Sequence, residues 1–241
     1  MKRLVDVVAS FLGLLIFSPL LLPVMFLVWW QDRHSPFYMA PRVGKNQAIF
    51  TMVKLRSMIV NADRSGVDST SASDHRITGV GSFIRKYKLD ELTQLWNVLM
   101  GDMSLVGPRP NVKRETDLYT TQEKSLLSVK PGITDFASIV FSDEGEILKG
   151  RKDPDLSYNQ LIRPWKSRLA LLYIENRSFS LDLKLILITA VALFSRKKAL
   201  DGIRTVLGDL KADPEMIRVA GRCEDLKPHP PPGTLDVVMS R

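Results

Sequence analysis

The chain has 241 residues, enough for one large domain or two small ones, and its 45% hydrophobic and 25% charged residues are typical of a folded protein. The formal net charge of +8 favours an anionic partner, such as nucleic acid, phospholipid or a nucleotide-sugar. Cys223 is the only cysteine, which excludes a disulfide within the chain, and no Cys/His spacing typical of a zinc site is present.

Residues 4–30 form the most apolar segment, in which Asp6 is the only charged side chain. A helix of this length reaches roughly 40 Å, enough to cross a bilayer core of about 30 Å. A secretory signal peptide fits poorly, because the run is too long and no small-residue cleavage site follows it. The run ends in Trp29 and Trp30, aromatic residues that favour the membrane interface. The segment is therefore predicted to be a membrane helix.

Two arrangements of this helix are open, because Ser18, Pro19 and Pro23 lie near its middle. Proline removes a backbone donor and clashes with the preceding turn, so it kinks or breaks a helix. One interpretation is a kinked single span in which the Ser18 hydroxyl bonds to a freed carbonyl. The other is a re-entrant hairpin that enters and leaves on one face. Basic residues both before and after the segment favour the hairpin, with both ends in the cytoplasm.

Residues 37–59 change to a shorter, strand-like pattern. Strands are predicted at 37–39, 48–50 and 52–55, around a turn that begins at Gly44. For the basic residues of this region, Lys54 and Arg56 among them, the plain interpretation is that they lie on a surface that faces solvent or lipid headgroups. Residues 61–74 are rich in Ser, Asp and Gly and are predicted to form a mobile loop.

The most informative stretch runs from Arg85 to Pro110. Apolar residues at 89, 92, 95, 96 and 99 recur at helical spacing and predict a helix that ends at Gly101. Asp90 and Glu91 then lie in its first turn, where unpaired N–H groups and the helix dipole favour negative charge. One interpretation is that these carboxylates only cap the helix.

Cations on both sides of the carboxylate pair point to phosphoryl-transfer chemistry as the second interpretation. A carboxylate can act as a nucleophile toward phosphorus, and a neighbouring carboxylate can bind Mg²⁺, a cation that takes oxygen ligands. Arg85 lies five residues before Asp90, and Arg109 lies between two prolines. Either guanidinium can hold phosphate oxygens with two parallel hydrogen bonds. For Arg109, a structural salt bridge is the alternative.

The region after Pro110 is predicted to hold a polar helical connector at 112–127 and a short β-prone run at 136–141. Asp153 and Pro154 predict the start of another helix, although Asp153 and Asp155 also match a D-x-D metal motif. The apolar run at 181–194 is too short to cross a bilayer, so it is predicted to be a packed helix, with an interfacial helix as the alternative.

These elements divide the chain into three predicted units. Residues 1–33 form the membrane helix and residues 34–196 form a catalytic domain. Residues 197–241 are predicted to be a loosely attached C-terminal extension, because the stretch from Lys227 to Gly233 is rich in proline and poor in core-forming residues.

Several motifs together resemble one known family, the bacterial sugar transferases, which are monotopic polyprenyl-phosphate phosphoglycosyl transferases. The likeness extends over about residues 1–194 and is strongest in the central block, which makes a chance match very improbable. The matching pieces are Lys2-Arg3 with Asp6, Ser18-Pro19, Arg42-Val43-Gly44, Lys54-Leu55-Arg56-Ser57-Met58, Leu89-Asp90-Glu91-Leu92, Gln94-Leu95-Trp96-Asn97-Val98-Leu99, Gly101-Asp102-Met103-Ser104-Leu105-Val106-Gly107-Pro108-Arg109-Pro110, Val129-Lys130-Pro131-Gly132-Ile133-Thr134 and Asn176-Arg177-Ser178-Phe179 before Asp182-Leu183-Lys184.

The resemblance implies transfer of a sugar 1-phosphate from a UDP-sugar to undecaprenyl phosphate, with release of UMP and with Mg²⁺ as cofactor. Such a reaction starts the assembly of a membrane glycan: an exopolysaccharide, capsule, O-antigen or glycoprotein. By position, Asp90 would be the nucleophile that forms a phosphosugar-enzyme intermediate, and Glu91 would assist it and help to hold Mg²⁺. Arg85 and Arg109 would hold phosphate groups, and Ser18 and Pro19 would break the membrane helix.

The family resemblance also implies an α/β fold that is mostly helical with a small sheet. A re-entrant helix hairpin would anchor a compact catalytic domain with interfacial helices to the bacterial inner membrane, on its cytoplasmic face. The implied partners are the UDP-sugar, undecaprenyl phosphate and membrane lipids, and not nucleic acid. A homodimer is left open. Departures from the family pattern at 39–41 and 135–138 leave the identity of the sugar open. Thr93 stands where proline is frequent in the family, a change that should not disturb the chemistry.

Two other functions are consistent with parts of the sequence. A membrane-attached nucleotide-sugar glycosyltransferase rests on the D-x-D match alone and would release UDP. A non-enzymatic membrane scaffold would explain the positive charge but not a carboxylate pair between arginines.

Overall fold

The computed structural model describes residues 1–62 and 74–240, so most of the loop predicted at 61–74 lies outside the described residues. The described chain is mostly helical with two small sheets, as the sequence predicts. Short 3₁₀ helices lie at Lys45–Gln47 and Glu123–Ser128. The elements are α1 (Lys2–Asp32), β1 (Phe37–Val43), β2 (Ile49–Leu55), α2 (Gly79–Lys86), α3 (Leu89–Leu92), α4 (Leu95–Met100), β3 (Ser104–Val106), α5 (Lys113–Asp117), β4 (Gly132–Thr134), α6 (Phe136–Val140), α7 (Glu144–Ile147), α8 (Pro154–Leu161), α9 (Arg163–Asn176), α10 (Phe179–Ala192), α11 (Arg196–Asp209) and α12 (Pro214–Ala220).

Helix α1 is long and apolar enough to cross a membrane. One stripe of this helix, however, packs on the rest of the protein: Asp6, Ser10, Leu21, Val24 and Val28 are buried. These positions follow helical spacing, so they share one face. The remaining faces carry exposed apolar side chains along almost the whole helix, which suits a lipid environment.

The hairpin expected at Ser18 and Pro19 is not confirmed, because helical backbone continues from Lys2 to Asp32 through Pro19 and Pro23. Pro19 lacks the N–H that would bond to the Leu15 carbonyl. The Ser18 hydroxyl donates to that carbonyl instead, at 2.8 Å, as the sequence indicated. The serine therefore compensates for the missing backbone bond and lets helical backbone pass through the proline.

Both ends of α1 are attached to the same globular part of the protein. At the N-terminal end, the Lys2 ammonium lies 2.5 Å from an Asp182 carboxylate oxygen. The Asp6 carboxylate accepts hydrogen bonds from the Ser104 hydroxyl and the Leu105 N–H. At the C-terminal end, Asp32 pairs with the buried Arg56 at 2.5 Å. Ion pairs of this kind, partly shielded from water, hold the helix along the domain rather than letting it project away.

The predicted strands around Gly44 form an antiparallel hairpin in which β1 pairs with β2, Phe37 opposite Leu55. The free edge of β2 is held by polar side chains of the central helices. The Asn97 side chain accepts from the Val53 N–H at 2.9 Å and donates to the Thr51 carbonyl at 2.7 Å. The Thr93 hydroxyl donates to the Val53 carbonyl. These bonds take the place of a third strand and fix β2 against α3 and α4.

A second sheet places the loop that carries Arg109. Strands β3 and β4 are parallel, with Ser104 opposite Gly132. Immediately after β3, the backbones of Gly107 and Gly132 come so close that a Cβ added to Gly132 would lie 2.1 Å from the Gly107 nitrogen. Because only glycine fits there, the two loops are pressed together and the turn before Arg109 has little freedom.

The largest hydrophobic core lies between α6, α8, α9, α10 and α11. The loose attachment predicted for the C-terminal extension is wrong, because Leu200, Ile203 and Leu207 of α11 are buried in this core. Beyond α12 the proline-rich stretch also packs, since the His229 ring contacts the Trp165 ring with centroids 4.4 Å apart and planes tilted by 55°. The proline-rich composition of this stretch predicts an extended backbone, but it does not predict which surface of the protein the stretch packs against.

The β-prone run predicted at 136–141 is wrong as well, since residues 136–140 form helix α6 and Phe141 caps its C-terminal end. The Asp135 carboxylate accepts from the Ser138 N–H and the Ser138 hydroxyl bonds back to the Asp135 N–H, a capping box that starts the helix. The helix predicted after Asp153 is confirmed as α8, and the Asp153 carboxylate caps it through the Leu156 N–H. Helix capping thus accounts for an aspartate of the D-x-D match.

Candidate active site

The central helix predicted to end at Gly101 is confirmed as two short segments, α3 and α4. Thr93 and Gln94 between them keep helical dihedral angles, and Gly101 closes α4 with φ of 100°. The residue before α3, Lys88, has a left-handed conformation with φ of 53° and provides no side-chain cap. The backbone thus turns sharply at the position where the two carboxylates follow.

Asp90 lies beside the lysine of β2. Its carboxylate is 3.7 Å from the Lys54 ammonium, and both side chains are mostly buried. Burial lowers the pKa of Lys54 to about 8, with the Arg109 charge acting in the same direction and Asp90 and Glu91 opposing it. A lysine with this pKa remains largely charged at neutral pH but loses its proton within the range accessible to experiments.

Glu91 is paired with the arginine that follows β3. Arg109 lies 3.1 Å from the Glu91 carboxylate, and Lys88 approaches the same oxygen at 3.9 Å. Burial alone would raise the pKa of Glu91, but Arg109, Lys88 and Lys54 outweigh it and lower the pKa to about 2. The Glu91 carboxylate in turn raises the pKa of Arg109. Glu91 is therefore a permanent anion, and the salt bridge considered for Arg109 is present.

Both carboxylates thus face cations from other elements, so capping of the helix does not account for them. Arg85 of α2 belongs to the same group of charges but makes no direct ion pair with Asp90 among the described residues. Burial lowers the pKa of Arg85, while Asp90 and Asp74 act in the opposite direction. Of the four predicted site residues, Glu91 and Arg109 therefore pair with each other, Asp90 pairs with Lys54, and Arg85 is coupled to Asp90 only through its charge.

Lys54 is the site residue that sequence reasoning missed. A surface role was the plain interpretation of its charge, yet only 19% of its side chain is exposed. The sequence feature that could have identified Lys54 as a site residue is the match of residues 54–58 to the family pattern. Arg56, interpreted in the same way, is buried and holds the end of α1. Ser18 and Pro19 lie in α1, where the Ser18 hydroxyl bonds to the Leu15 carbonyl.

The donor chemistry of this site fits Mg²⁺ only together with a substrate. No group of three or more His, Cys, Asp or Glu residues that could hold a metal occurs in the described ranges. Two neighbouring carboxylates, each partly exposed, are what Mg²⁺ uses when phosphate oxygens and water complete its octahedron.

The sequence belongs to the bacterial sugar transferase family, whose model matches residues 1–196. The exopolysaccharide production protein ExoY of Sinorhizobium fredii is 41% identical over 148 residues, which are 55% of this chain and 66% of that protein. An undecaprenyl-phosphate galactose phosphotransferase of Salmonella typhimurium is 34% identical over 214 residues, 83% of this chain and 41% of its own length.

A third relative is the UDP-glucose:undecaprenyl-phosphate glucose-1-phosphate transferase of Klebsiella pneumoniae, which is 34% identical over 202 residues. The match covers 82% of this chain and 41% of that protein. The chain therefore spans about two fifths to two thirds of the length of these relatives. The carboxylates and cations of the candidate site all lie within the residues that the family model matches.

Proposed function

We propose that the protein transfers a sugar 1-phosphate from a UDP-sugar to undecaprenyl phosphate and releases UMP. The observation that carries this proposal is the pairing of two adjacent carboxylates with cations from separate elements, Asp90 with Lys54 and Glu91 with Arg109. The names of the relatives from Salmonella and Klebsiella support the same reaction class. The product would initiate a membrane glycan such as an exopolysaccharide or capsule.

In the first step, an Asp90 carboxylate oxygen attacks the phosphorus that carries the sugar. A bond forms between the oxygen and phosphorus, the bond to the bridging oxygen breaks, and UMP leaves with that oxygen. Lys54 and Arg109 reduce the repulsion between the anionic nucleophile and the diphosphate. In the second step, a phosphate oxygen of undecaprenyl phosphate attacks the same phosphorus, which restores the Asp90 carboxylate and yields the lipid diphosphate sugar.

Glu91 and Asp90 would hold Mg²⁺ together with the substrate phosphates. The ion would neutralise charge on the diphosphate and on departing UMP. Because Glu91 is held as an anion by Arg109 and Lys88, it is suited to bind a metal rather than to carry a proton. Arg85 would bind phosphate oxygens from the α2 side.

We also propose that the nucleotide binds next to Arg109. A shallow groove there has apolar side chains, Val43, Pro108 and Leu126, against which the base could pack, while Arg109 lies in the same wall. We place the uridine in this groove and the diphosphate over Arg109, so that the sugar-bearing phosphorus reaches Asp90.

For the membrane, we propose that α1 inserts into one leaflet with both ends on the cytoplasmic face. The support is its attachment at both ends, through Lys2 to Asp182 and through Asp32 to Arg56. Pro19 and Pro23 permit a bend between these ends. Exposed Phe179, Leu183 and Leu187 of α10 suit an interfacial helix in the same membrane plane. The cytoplasmic membrane is the proposed location.

We also propose that residues 34–196 are the catalytic unit and 1–33 its anchor, with 197–241 completing the core.

The decisive experiment is UMP release from a panel of UDP-sugars by the purified full chain with undecaprenyl phosphate and Mg²⁺. Asp90→Asn is expected to abolish release, and labelled phosphosugar should remain on the wild-type protein when the lipid is omitted. Full turnover by Asp90→Asn would refute the covalent route, and release of UDP would indicate a glycosyltransferase instead.

A further inference from the structure

Another charged group lies next to the carboxylate site, outside the motifs that identify the family. Glu144 begins α7, and its carboxylate is in direct contact with the Lys166 ammonium of α9. Lys166 also lies 5.3 Å from the centre of the Tyr158 ring, which restricts its position. Both charged side chains keep part of their surface exposed, 30% for Glu144 and 18% for Lys166. They can therefore still bind a polar ligand.

Glu144 belongs electrostatically to the active site. Burial raises the pKa of Glu144, but Lys166, Arg109 and Lys88 outweigh it, so its pKa is lowered and the carboxylate is charged. Glu144 in turn stabilises the charged forms of Arg109 and Arg85. These are the cations proposed to hold the diphosphate, so the charge of Glu144 also acts where the sugar is attached to it.

The position of Glu144 depends on its neighbour Asp143, which is held from the C-terminal part of the chain. Arg196 lies 2.8 Å from the Asp143 carboxylate and Arg222 lies 3.4 Å from the same oxygen. The Arg222 side chain is nine-tenths buried and stacks over the Phe141 ring at 5.6 Å. The backbone of Arg222 has φ of 51°, a conformation that costs energy for a residue other than glycine.

This buried arginine is not fully satisfied. Its Nε and Nη1 atoms have no hydrogen-bond partner, and neither does Oδ1 of Asp143. Buried polar groups without partners are rare and need an explanation, because each costs free energy. Together with the unfavourable backbone at Arg222, these unsatisfied atoms indicate that the arrangement serves to position the neighbouring residues and does not add to stability.

We propose that Glu144 and Lys166 bind hydroxyl groups of the sugar in the donor, and that Arg196 and Arg222 are positioning residues that hold this pair through Asp143. The inference rests on the proposed function. A carboxylate and an ammonium side by side provide an acceptor and a donor, the groups that distinguish the orientation of neighbouring hydroxyls. Because Arg222 lies beyond the family match at 1–196, the sugar preference of this protein depends partly on its own C-terminal segment.

The test compares Glu144→Gln with Glu146→Gln in the full-length protein. Glu146 lies in the same helix, but it is exposed and pairs only with Lys149 on the surface. Glu144→Gln is expected to raise KM for the preferred UDP-sugar about tenfold and to reduce the preference among epimeric UDP-sugars, since it removes one charged hydrogen bond. Inhibition by UMP, which lacks the sugar, should stay the same. Glu146→Gln should match the wild type in all three measurements.

Arg222 is tested by Arg222→Met and Arg222→Lys. The methionine variant should shift KM and sugar preference in the same direction as Glu144→Gln, with unchanged UMP inhibition, and lysine should restore part of the wild-type value. Unchanged KM and preference in Glu144→Gln would overturn the inference, as would an equal weakening of UMP and UDP-sugar binding. If the wild type releases no UMP from any UDP-sugar, the proposed function itself fails and the inference falls with it.

Discussion

At the scale of single residues, the proposed chemistry depends on one lysine placed between opposing charges. Lys54 is surrounded by Asp90 and Glu91, which favour its proton, and by burial and Arg109, which disfavour it. The balance leaves its pKa near 8, so the cation beside the proposed nucleophile is lost at moderately alkaline pH. An arginine would not lose its charge in that range.

This gives a prediction about the pH dependence of UMP release. As pH rises through about 8, Lys54 loses its proton, repulsion between Asp90 and the diphosphate increases, and kcat/KM should fall. Lys54→Arg should move this alkaline limb upward by at least about one pH unit, because the guanidinium stays charged. Lys86→Arg, at an exposed position of α2, serves as the control and should keep the wild-type profile. An unmoved limb in Lys54→Arg would remove Lys54 from the mechanism.

At the scale of elements, the site depends on how the central helices hold the edge of β2. The Asn97 side chain is buried and bonds to the backbone of Val53 and Thr51, the strand residues that precede Lys54. We expect Asn97→Ala to lower the free energy of unfolding by about 2–4 kcal/mol, because two buried backbone groups lose their partners. Asn176→Ala, which removes only a bond within α9, should cost much less. Urea titrations in detergent would measure both, and equal costs would contradict this role of Asn97.

The contact between β3 and β4 supports a second prediction at this scale. Gly132→Ala would place a methyl group 2.1 Å from the Gly107 nitrogen, so the loop before Arg109 must move. We expect a loss of about 1–3 kcal/mol in stability, accompanied by weaker UMP release. Gly208→Ala in α11 meets no atom within 4 Å and should stabilise the helix by about 0.5–1 kcal/mol. Thermal melts should therefore move in opposite directions for the two variants.

Elements with strong local signals could be predicted from the sequence, and elements defined by distant contacts could not. The strands around Gly44, the helix start at Asp153 and the helix end at Gly101 are local patterns, and each is confirmed. The run at 136–141 was predicted to be β-prone from its β-branched and aromatic residues. A capping box of Asp135 and Ser138 starts a helix there instead. In the site, the charges of Asp90, Glu91 and Arg109 were visible in sequence. The pairing of Asp90 with Lys54 depends on a strand edge that no local pattern describes.

At the scale of the whole molecule, the proposed insertion of α1 into one leaflet rests on its attachment at both ends. In a Cys223→Ser background, we expect a cysteine in a tag before Met1 and a cysteine at Gln31 to react with an impermeant maleimide from the same, cytoplasmic side. Inside-out and right-side-out vesicles distinguish the two sides. If the tag reacts only from the opposite side, the helix spans the membrane, and the Lys2 to Asp182 contact cannot form in the cell.

The C-terminal part belongs to the same folded unit as the active site, and this can be tested by a single substitution far from the chemistry. Ile203 of α11 is fully buried in the core shared by α6, α9 and α10, whereas Leu235 is 96% exposed. Ile203→Ala should lower the free energy of unfolding by about 2–4 kcal/mol, since it leaves a cavity that the neighbouring helices fill only in part. Leu235→Ala should stay within about 0.5 kcal/mol of the wild type. A loosely attached extension would make the two variants equal. Because α11 begins at Arg196 and leads toward Arg222, a destabilised α11 should also weaken the hold on Asp143. Ile203→Ala should therefore raise KM for the UDP-sugar at temperatures where the protein remains folded.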